Sequence, residues 1–471
     1  MKKTPWVFTL LLFISVFALS ACVPYSFSTP MQIHINAGDK VEHAVIAVDG
    51  DGRSHIAGIV ADRVVYYRTL HGEPLQKFTM ALGGTGPNWK QYNPDIAALN
   101  NGTSFVTWVE QRGTTDKFAC YLTIPITPPI GGFDKTCHTL DSTDPTAGHV
   151  WVVARENTAY AVYDRPYTDG RTSELWYRKL SAWPTYAGRV HWFTERYETA
   201  KIYSLDMGID DDGFLHVGYH YNWTTGGPPP FAERLEIRSN RSINPDGQMN
   251  QIWVITTQSG TDEDVPVSLS FFNDGGFQNV ALASVEHEGT LDCIFISFCT
   301  AAGCVNKGDH AVSLPSSWDT KSVIKDVEIL GVGNYLYLGF IGDDDTAPTG
   351  AEQVYYTWDP FAMPVSLLQP SAGSATFKYD LEMTRVNARP GSSATHFPMM
   401  AWGESNMLLN EFFVYEGLTP KVKIYETNCI TNLPIGEIAS NGVYFSGVWD
   451  DCYNTIFSTQ AYITDLPLVV K

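Results

Sequence analysis

The chain has 471 residues, of which 51 are acidic and 31 are basic, and its formal net charge is −20. This acidity argues against a nucleic-acid partner and against electrostatic docking on an anionic lipid surface. Hydrophobic residues make up 44% of the chain, which is typical of a folded globular protein and not of a disordered one.

The first 21 residues have the features of a secretory signal peptide: a basic start, an apolar run over 7–19 and small residues before Cys22. The run is shorter than the roughly 20 residues of a membrane-spanning helix. The tetrapeptide at 19–22 resembles the lipobox of bacterial lipoproteins. That resemblance implies a palmitate-type lipid anchor at Cys22, a tether over 22–36, and a location outside the cytoplasm on the cell membrane or outer envelope. The alternative is an ordinary cleaved signal peptide with an incidental cysteine.

Three short strand patterns occupy residues 43–70, with a tight turn at 49–52 between the first two. Alternating apolar runs around an Asp-Gly or Asn-Gly turn are the strongest local signal for a β-hairpin. Similar patterns recur along the chain, with turns at positions 52, 102, 157, 213, 276, 333, 391 and 442 and spacings from 50 to 63 residues. Sustained helical periodicity does not occur between them.

A repeat of this size without helices predicts an all-β fold, a single β-propeller over residues 37–471. Eight copies predict eight blades. Seven is the alternative, if the irregular seventh copy is an insertion or if the terminal segments share a blade. We expect a terminal strand near Ala461–Ile463 to pair with one near Met31–Ile35, so that no sheet edge stays open, and we expect a monomer.

The pattern hydrophobic-Asp-x-x-Gly-x-hydrophobic-aromatic, followed by the Tyr66-Tyr67-Arg68 strand, resembles the repeats of sialidase-like (BNR-type) propellers. The resemblance implies a propeller and, if activity is shared, three arginines, a Tyr–Glu nucleophile pair and an acid/base Asp. No copy contains that family's Ser-x-Asp-x-Gly-x-Thr-Trp box. The nearest approach to its first arginine motif is Tyr163-Asp164-Arg165-Pro166, for which a local ion pair in a loop is the alternative role.

Polar residues follow the aromatic end of the second strand in several repeats. If the blades are equivalent, these residues lie around one face of the disc, beside aromatic rings that stack on sugars or peptides. The candidate ligand-binding set is Glu110, Asp164, Arg165, His220, Asp343, Glu404, Asp450, Trp108, Trp402 and Trp449. Carboxylate pairs there also suit glycosidase chemistry. The alternative is that they are hydrophilic loop residues at strand ends.

Seven cysteines follow Cys22, and an exported protein can form disulfides. Three pairs bracket short hairpin-like segments, and these are the disulfides that we predict: Cys120–Cys137, Cys299–Cys304 and Cys429–Cys452. This pairing leaves Cys293 as a thiol. A zinc site at Cys293, Cys299 and Cys304 lacks a CxxC pair and a neighbouring histidine.

No cofactor is predicted. The run Asp343, Asp344 and Asp345 is the best calcium candidate because a hairpin turn does not need three aspartates, although the run lacks the Glu of an EF-hand loop. The chain contains no HExxH, GxSxG or phosphate-loop motif. These observations favour a non-enzymatic, surface-anchored propeller that binds a carbohydrate or protein partner. The alternative is an extracytoplasmic sialidase-like glycosidase or polysaccharide lyase.

Overall fold

The structure is a computed structural model, and it describes most of the chain between residues 26 and 462. The described ranges are 26–27, 31–33, 41–69, 88–127, 136–141, 146–166, 172–181, 187–192, 199–224, 232–245, 247–256, 265–288, 291–302, 306–314, 323–343, 352–362, 365–370, 377–387, 396–405, 410–416, 422–427, 436–440, 444–450 and 456–462. These residues contain no helix, so none of them forms an apolar helix able to cross a membrane.

The described residues form small antiparallel sheets that follow one another along the chain. The first sheets contain β3 (Val41–Val48), β4 (Ser54–Val60) and β5 (Arg63–Thr69), then β6 (Lys90–Ala98), β7 (Ser104–Arg112), β8 (Asp116–Ile124) and β9 (His138–Thr139). An eight-stranded sheet follows, with β10 (Val150–Arg155), β11 (Thr158–Pro166), β12 (Thr172–Lys179), β13 (Ala187–Trp192), β14 (Thr199–Ile209), β15 (Leu215–Thr224), β16 (Ala232–Ile243) and β17 (Met249–Thr256).

The second half of the chain continues the pattern. Its sheets contain β18 (Ser268–Asp274), β19 (Phe277–Glu288), β20 (Leu291–Thr300) and β21 (Asn306–Ala311), then β22 (Val323–Val332), β23 (Tyr335–Asp343) and β24 (Gln353–Thr357), then β25 (Phe377–Asn387), β26 (His396–Ser405), β27 (Asn410–Glu416) and β28 (Val422–Thr427). The last sheet joins β29 (Gly436–Ser440), β30 (Tyr444–Asp450) and β31 (Ile456–Tyr462) to β1 (Ser26–Phe27) and β2 (Met31–Ile33).

The eight-stranded sheet consists of two groups, β10–β13 and β14–β17. A single residue pair, Thr172 with Ala200, joins them. With this division the described strands form eight groups, and each group corresponds to one sequence repeat.

The first strands of the eight groups form a closed ring. Each of β3, β6, β10, β14, β18, β22, β25 and β29 contacts the next, and β29 contacts β3. Sheets arranged radially around such a ring are blades, so the fold is the all-β propeller that the repeats predict. The ring favours eight blades over seven.

The N-terminal strands close the last sheet from outside. Met31–Ile33 pairs with Ile456–Ser458, and Ser26–Phe27 pairs with Ala461 and Tyr462. The pairing of the two termini was therefore predicted correctly. Within the predicted tether over 22–36, residues 26–27 and 31–33 supply the outer edge of this sheet, and the tether itself stays a prediction.

The described hydrophobic clusters lie between consecutive sheets. Trp108, for example, packs with Tyr66 between the first two sheets, and Trp402 packs with Leu381 and Tyr356 between β22–β24 and β25–β28. Both faces of each sheet are covered because successive side chains of a strand point to opposite neighbours. The blades therefore hold one another in place mainly through buried apolar side chains.

Candidate functional site

Trp108 and Glu110, from the predicted ligand-binding set, lie inside the protein. The Trp108 side chain is fully buried, and Glu110 is buried beside it. The Glu110 carboxylate accepts hydrogen bonds from Gln91 Nε2 (3.1 Å), Trp108 Nε1 (3.4 Å) and Arg112 Nε (2.9 Å). Its oxygens are therefore used within the sheet.

Trp402 and Glu404 repeat this arrangement in a later sheet. Trp402 Nε1 donates to Glu404 Oε1 (2.9 Å), and the buried Lys378 ammonium lies 3.8 Å from Glu404 Oε2. Residues two apart on a strand share one face, so each glutamate follows its tryptophan into the space between two sheets.

Asp164 and Arg165 lie at the end of β11 and not in a loop as expected, and both make local polar contacts. Asp164 Oδ1 accepts the backbone N–H groups of Gly148 (2.8 Å) and His149 (2.6 Å). Arg165 pairs with Glu174 (2.8 Å) and with Asp141, and its guanidinium lies over the Trp176 ring.

The other members of the set are dispersed. His220 is fully buried between β14–β17 and the next sheet, and loss of solvation lowers its pKa to about 4. Asp343 ends β23, opposite Val323. Trp449 and Asp450 lie on β30, and their side chains are outside the described residues. None of the set lines either of the two cavities described below.

One of the three predicted disulfides, Cys120–Cys137, is present and joins β8 to the segment before β9. Cys299 is buried on β20, whereas Cys304, Cys429 and Cys452 lie outside the described residues. Within the described part of the chain, the one group of three side chains at metal-binding distances is Glu110 with Cys120 and Cys137. These sulfurs are bonded to each other, so they supply no thiolate.

Asp344 and Asp345 of the calcium candidate also lie outside the described residues, and only Asp343 is described. A calcium site there stays a prediction.

The carboxylates that do converge lie on the first strands, around the axis. Six of them line one cavity of about 580 Å³: Asp206, Asp326, Glu328, Asp380, Glu382 and Glu437. A seventh, Asp95, interacts electrostatically with Asp206 and Glu437. We call these seven side chains the axial carboxylates. Among the residues that the structure describes, those that line the cavity include no lysine, arginine or histidine.

β-Bulges position several axial carboxylates. The register of the first strand shifts before Asp95, before Asp326 and between Tyr379 and Glu382. Asp380 itself adopts a left-handed backbone conformation with φ of 50°. A bulge adds a residue to one strand and redirects the side chains that follow, and bulges are frequent next to functional sites.

Three axial carboxylates bridge neighbouring blades in the same way. Asp95 accepts the N–H of Val152 (2.7 Å), Asp206 accepts that of Leu269 (2.6 Å), and Asp326 accepts that of Leu381 (2.8 Å). Each donor belongs to the first strand of the next blade, and each aspartate also accepts the N–H of its own following residue.

Glu437 makes the equivalent bridge where the ring closes, because its Oε2 accepts the N–H of Ile46 (3.0 Å). The bridges thus alternate around the ring, from the second, fourth, sixth and eighth blades to the blade that follows each. No such bridge from Glu328 or Glu382 occurs among the hydrogen bonds of the described residues. Glu328 Oε2 accepts from the Ser268 hydroxyl (2.9 Å), and both glutamates face the cavity.

Burial raises the pKa values of six of the axial carboxylates. Burial raises those of Asp95, Asp206 and Asp326 to about 6, against the opposing effect of their backbone hydrogen bonds. Burial and the nearby Asp95 and Asp380 raise the pKa of Glu437 to about 8.

Burial and mutual repulsion raise the pKa values of Glu328 and Glu382 well above the usual range. The cavity therefore holds several carboxyl groups that change charge near neutral pH. This is typical of binding and catalytic sites, and also of structural acid clusters.

The sequence contained a signal for this site that was overlooked. Asp95, Asp206 and Asp326 each precede an apolar residue in the first strand and lie seven positions before the turn glycines Gly102, Gly213 and Gly333. A charged residue at a fixed place in a buried strand needs a partner or a function. These three residues are not in the candidate ligand-binding set, whose polar members follow the second strand.

No protein-family model and no curated protein matches the chain. Among solved structures, prolyl oligopeptidase B from Galerina marginata has a TM-score of 0.48 at 10% identity, covering 90% of this chain and 55% of its own. The α-L-arabinanase of Penicillium chrysogenum has a TM-score of 0.39 at 9% identity, and the match covers 79% of this chain and 93% of the arabinanase chain. Trypanosoma rangeli sialidase has a TM-score of 0.36 at 9% identity, and the match covers 72% of this chain and 58% of the sialidase chain. These TM-scores are low, so the propeller assignment rests on the strand topology.

Raised pKa values predict how stability depends on pH. A carboxyl group whose pKa is higher in the folded state binds its proton more tightly there, so its contribution to stability is complete below its unfolded pKa near 4. That contribution is lost as pH rises through the folded values of about 6 to 8. We expect the free energy of unfolding in urea to fall between pH 5 and pH 8, and Glu382→Gln to reduce this fall by about 1 kcal/mol.

Asp116→Asn is the matched control, because Asp116 is exposed on β8 and loses the same charge. It should leave the pH dependence unchanged. A wild-type protein whose stability rises over this interval would contradict the prediction.

Two substitutions of Glu437 separate the effect of its hydrogen bond to the Ile46 N–H from the effect of its charge. Glu437→Gln removes the charge but keeps an oxygen that can accept the Ile46 N–H, so we expect unchanged or increased stability at pH 8. Glu437→Met has a similar volume but leaves that donor without its partner, and should cost about 1–3 kcal/mol. Urea unfolding of both variants measures the difference. Equal stability of the two would show that the bridge contributes nothing.

Proposed function

We propose that this protein is a lipid-anchored, extracytoplasmic binding protein whose axial cavity takes a positively charged ligand. The observation that carries the proposal is the convergence of six carboxylates in one cavity whose lining includes no basic side chain. A positive charge placed there relieves the repulsion that raises the pKa values of Glu328 and Glu382.

The cavity volume of about 580 Å³ suits a ligand of a few sugar rings. Of the carbohydrate and protein partners considered for this chain, a glycan with amino sugars fits both the size and the charge. An acidic glycan of the same size does not fit the charge, because ionised carboxylates repel it. A basic peptide is the competing ligand.

A glycosidase is the second candidate, and one observation favours it. The cavity combines Asp206, with a pKa near 6, and Glu437, with a pKa near 8, and glycoside hydrolysis needs one protonated and one ionised carboxyl group. The absence of arginine from the cavity lining argues against sialidase-type recognition of a substrate carboxylate. A polysaccharide lyase for acidic sugars is disfavoured for the same reason.

The proposed anchor is consistent with the position of the N-terminus. Cys22 precedes β1 by four residues, and β1 lies at the outer edge of the last sheet. Four residues span at most about 14 Å. A lipid on Cys22 would thus hold the propeller by its rim and leave the axis accessible.

The charge of the ligand can be tested with oligosaccharides of one backbone length that differ in charge. We expect chitosan oligosaccharides, which carry ammonium groups, to bind more tightly than neutral N-acetylchito-oligosaccharides, and oligogalacturonates not to bind. Calorimetry at pH 6.5 measures the order. The paired change Glu328→Gln with Glu382→Gln should weaken chitosan binding about ten-fold, since two charge contacts are lost.

Asp116→Asn serves again as the control for loss of an exposed charge. Equal binding of all three glycans, or binding that the paired change leaves intact, would contradict the proposal. Release of new reducing ends from chitosan would instead support the glycosidase. Tight binding of oligolysine with no glycan binding would favour a basic peptide.

The anchor has a separate test. Cells that express the full chain and are fed radioactive palmitate should label the wild-type protein and not Cys22→Ala, because acylation needs the thiol. Cys293→Ala is the control for loss of a cysteine elsewhere. Equal labelling of wild type and Cys22→Ala would show that the lipobox resemblance is misleading.

A further inference from the structure

A second cavity lies at the other end of the axis, where the hairpins between first and second strands turn. Its volume is about 480 Å³. It shares Leu269, Ser270, Leu330 and Met383 with the acidic cavity, so the two cavities adjoin at these residues. We call the side of the disc on which this second cavity lies the turn face.

The polar groups of this cavity differ from those of the acidic one. Arg155 forms an ion pair with Asp211, so the two charges offset each other. The other polar side chains at the turns are the amides of Asn273 and Gln278. Such a lining offers hydrogen-bond donors and acceptors without a net charge.

Hydrogen bonds between neighbouring blades fix these turns. The N–H of Asn273 donates to the Gly333 carbonyl (2.7 Å), and the N–H of Asp211 donates to Gln278 Oε1 (2.9 Å). Arg155 also donates to the Ile209 carbonyl (2.9 Å). Three turns, from the blades of β14, β18 and β22, are thereby linked, and a preformed surface loses little entropy on binding.

Two exposed aromatic side chains project from these turns. Phe277 is 62% exposed and Tyr335 is 60% exposed, the two highest values among the large apolar side chains described. Each is the first residue after a two-residue turn, opposite Asp274 and Val332 respectively. Phe277 adjoins Gln278 and Tyr335 follows Gly333 by two residues, and both Gln278 and Gly333 line the cavity.

We propose that the turn face carries a second binding site, for a neutral carbohydrate. The aromatic rings of Phe277 and Tyr335 provide flat apolar surfaces for the faces of sugar rings, and the amides of Asn273 and Gln278 provide partners for hydroxyl groups. Aromatic side chains are enriched at interaction surfaces, and these two are the most exposed large apolar side chains among the described residues. The turn face lies at the opposite end of the axis from the acidic cavity and differs from it in charge.

The test uses the purified full-length chain in detergent and a panel of short neutral xylo-, cello-, arabino- and N-acetylchito-oligosaccharides. We expect calorimetry to detect binding of at least one of them. Phe277→Ala combined with Tyr335→Ala should weaken that binding at least about ten-fold, because each ring contributes stacking beyond its buried area.

Two controls locate the effect. Phe377→Ala removes a ring that is 40% exposed at the beginning of β25, on the opposite side of the disc, and should leave binding unchanged. Glu382→Gln alters the acidic cavity and should also leave it unchanged, so failure of the axial proposal and failure of this one are distinguishable.

Three results would overturn the inference. They are a panel with no binder, binding that survives the paired aromatic change, and binding that Glu382→Gln abolishes. If an unglycosylated peptide library binds at Phe277 and Tyr335 while every sugar fails, the surface is a protein-docking site and the carbohydrate proposal is wrong.

Discussion

The propeller depends on a problem that every blade shares: its first strand is an edge strand. One side of that strand pairs with the second strand, and the other side leaves backbone N–H groups facing the axis, where no strand can pair with them. Buried donors need partners. Asp95, Asp206, Asp326 and Glu437 supply them, each from one blade to the next. Carboxylates suit this role because they accept hydrogen bonds strongly through two oxygens.

These bridging carboxylates also concentrate negative charge around the axis. Residues that stabilise the ring therefore also line the proposed binding cavity. Serine hydroxyls can accept the same kind of hydrogen bond without a charge. Those of Ser268 and Ser270 accept the N–H groups of Ile329 and Gly331. Glu328 and Glu382 add further acid without bridging to a backbone donor. Acid at a crowded position lowers stability, and a bound positive charge of the kind proposed would offset that cost.

The two ends of the axis differ in chemistry although one set of strands builds both. Residues near the start of the first strands, such as Asp326 and Glu328, make one end acidic. Residues near the ends of the first strands, such as Asn273 and Gly333, lie at turns, and hydrogen bonds join the turns of neighbouring blades. Leu269, Leu330 and Met383 lie between the two. A propeller of this kind can offer two unlike ligand sites on opposite faces without any inserted domain.

The sequence by itself determined the repeat, the all-β fold, the pairing of the two termini and the Cys120–Cys137 disulfide, because hairpin turns and strand alternation are local properties of the chain. Only the tertiary structure decided which polar residues meet. Glu110 was predicted to follow the aromatic end of the second strand and to lie with Trp108 on one face of the disc. Strand alternation instead sends both side chains between blades, where the glutamate is hydrogen-bonded. Asp206 and Glu437 lie 231 positions apart in the chain. Closure of the ring brings these two carboxylates into one cavity, and no local sequence pattern predicts that they lie near each other.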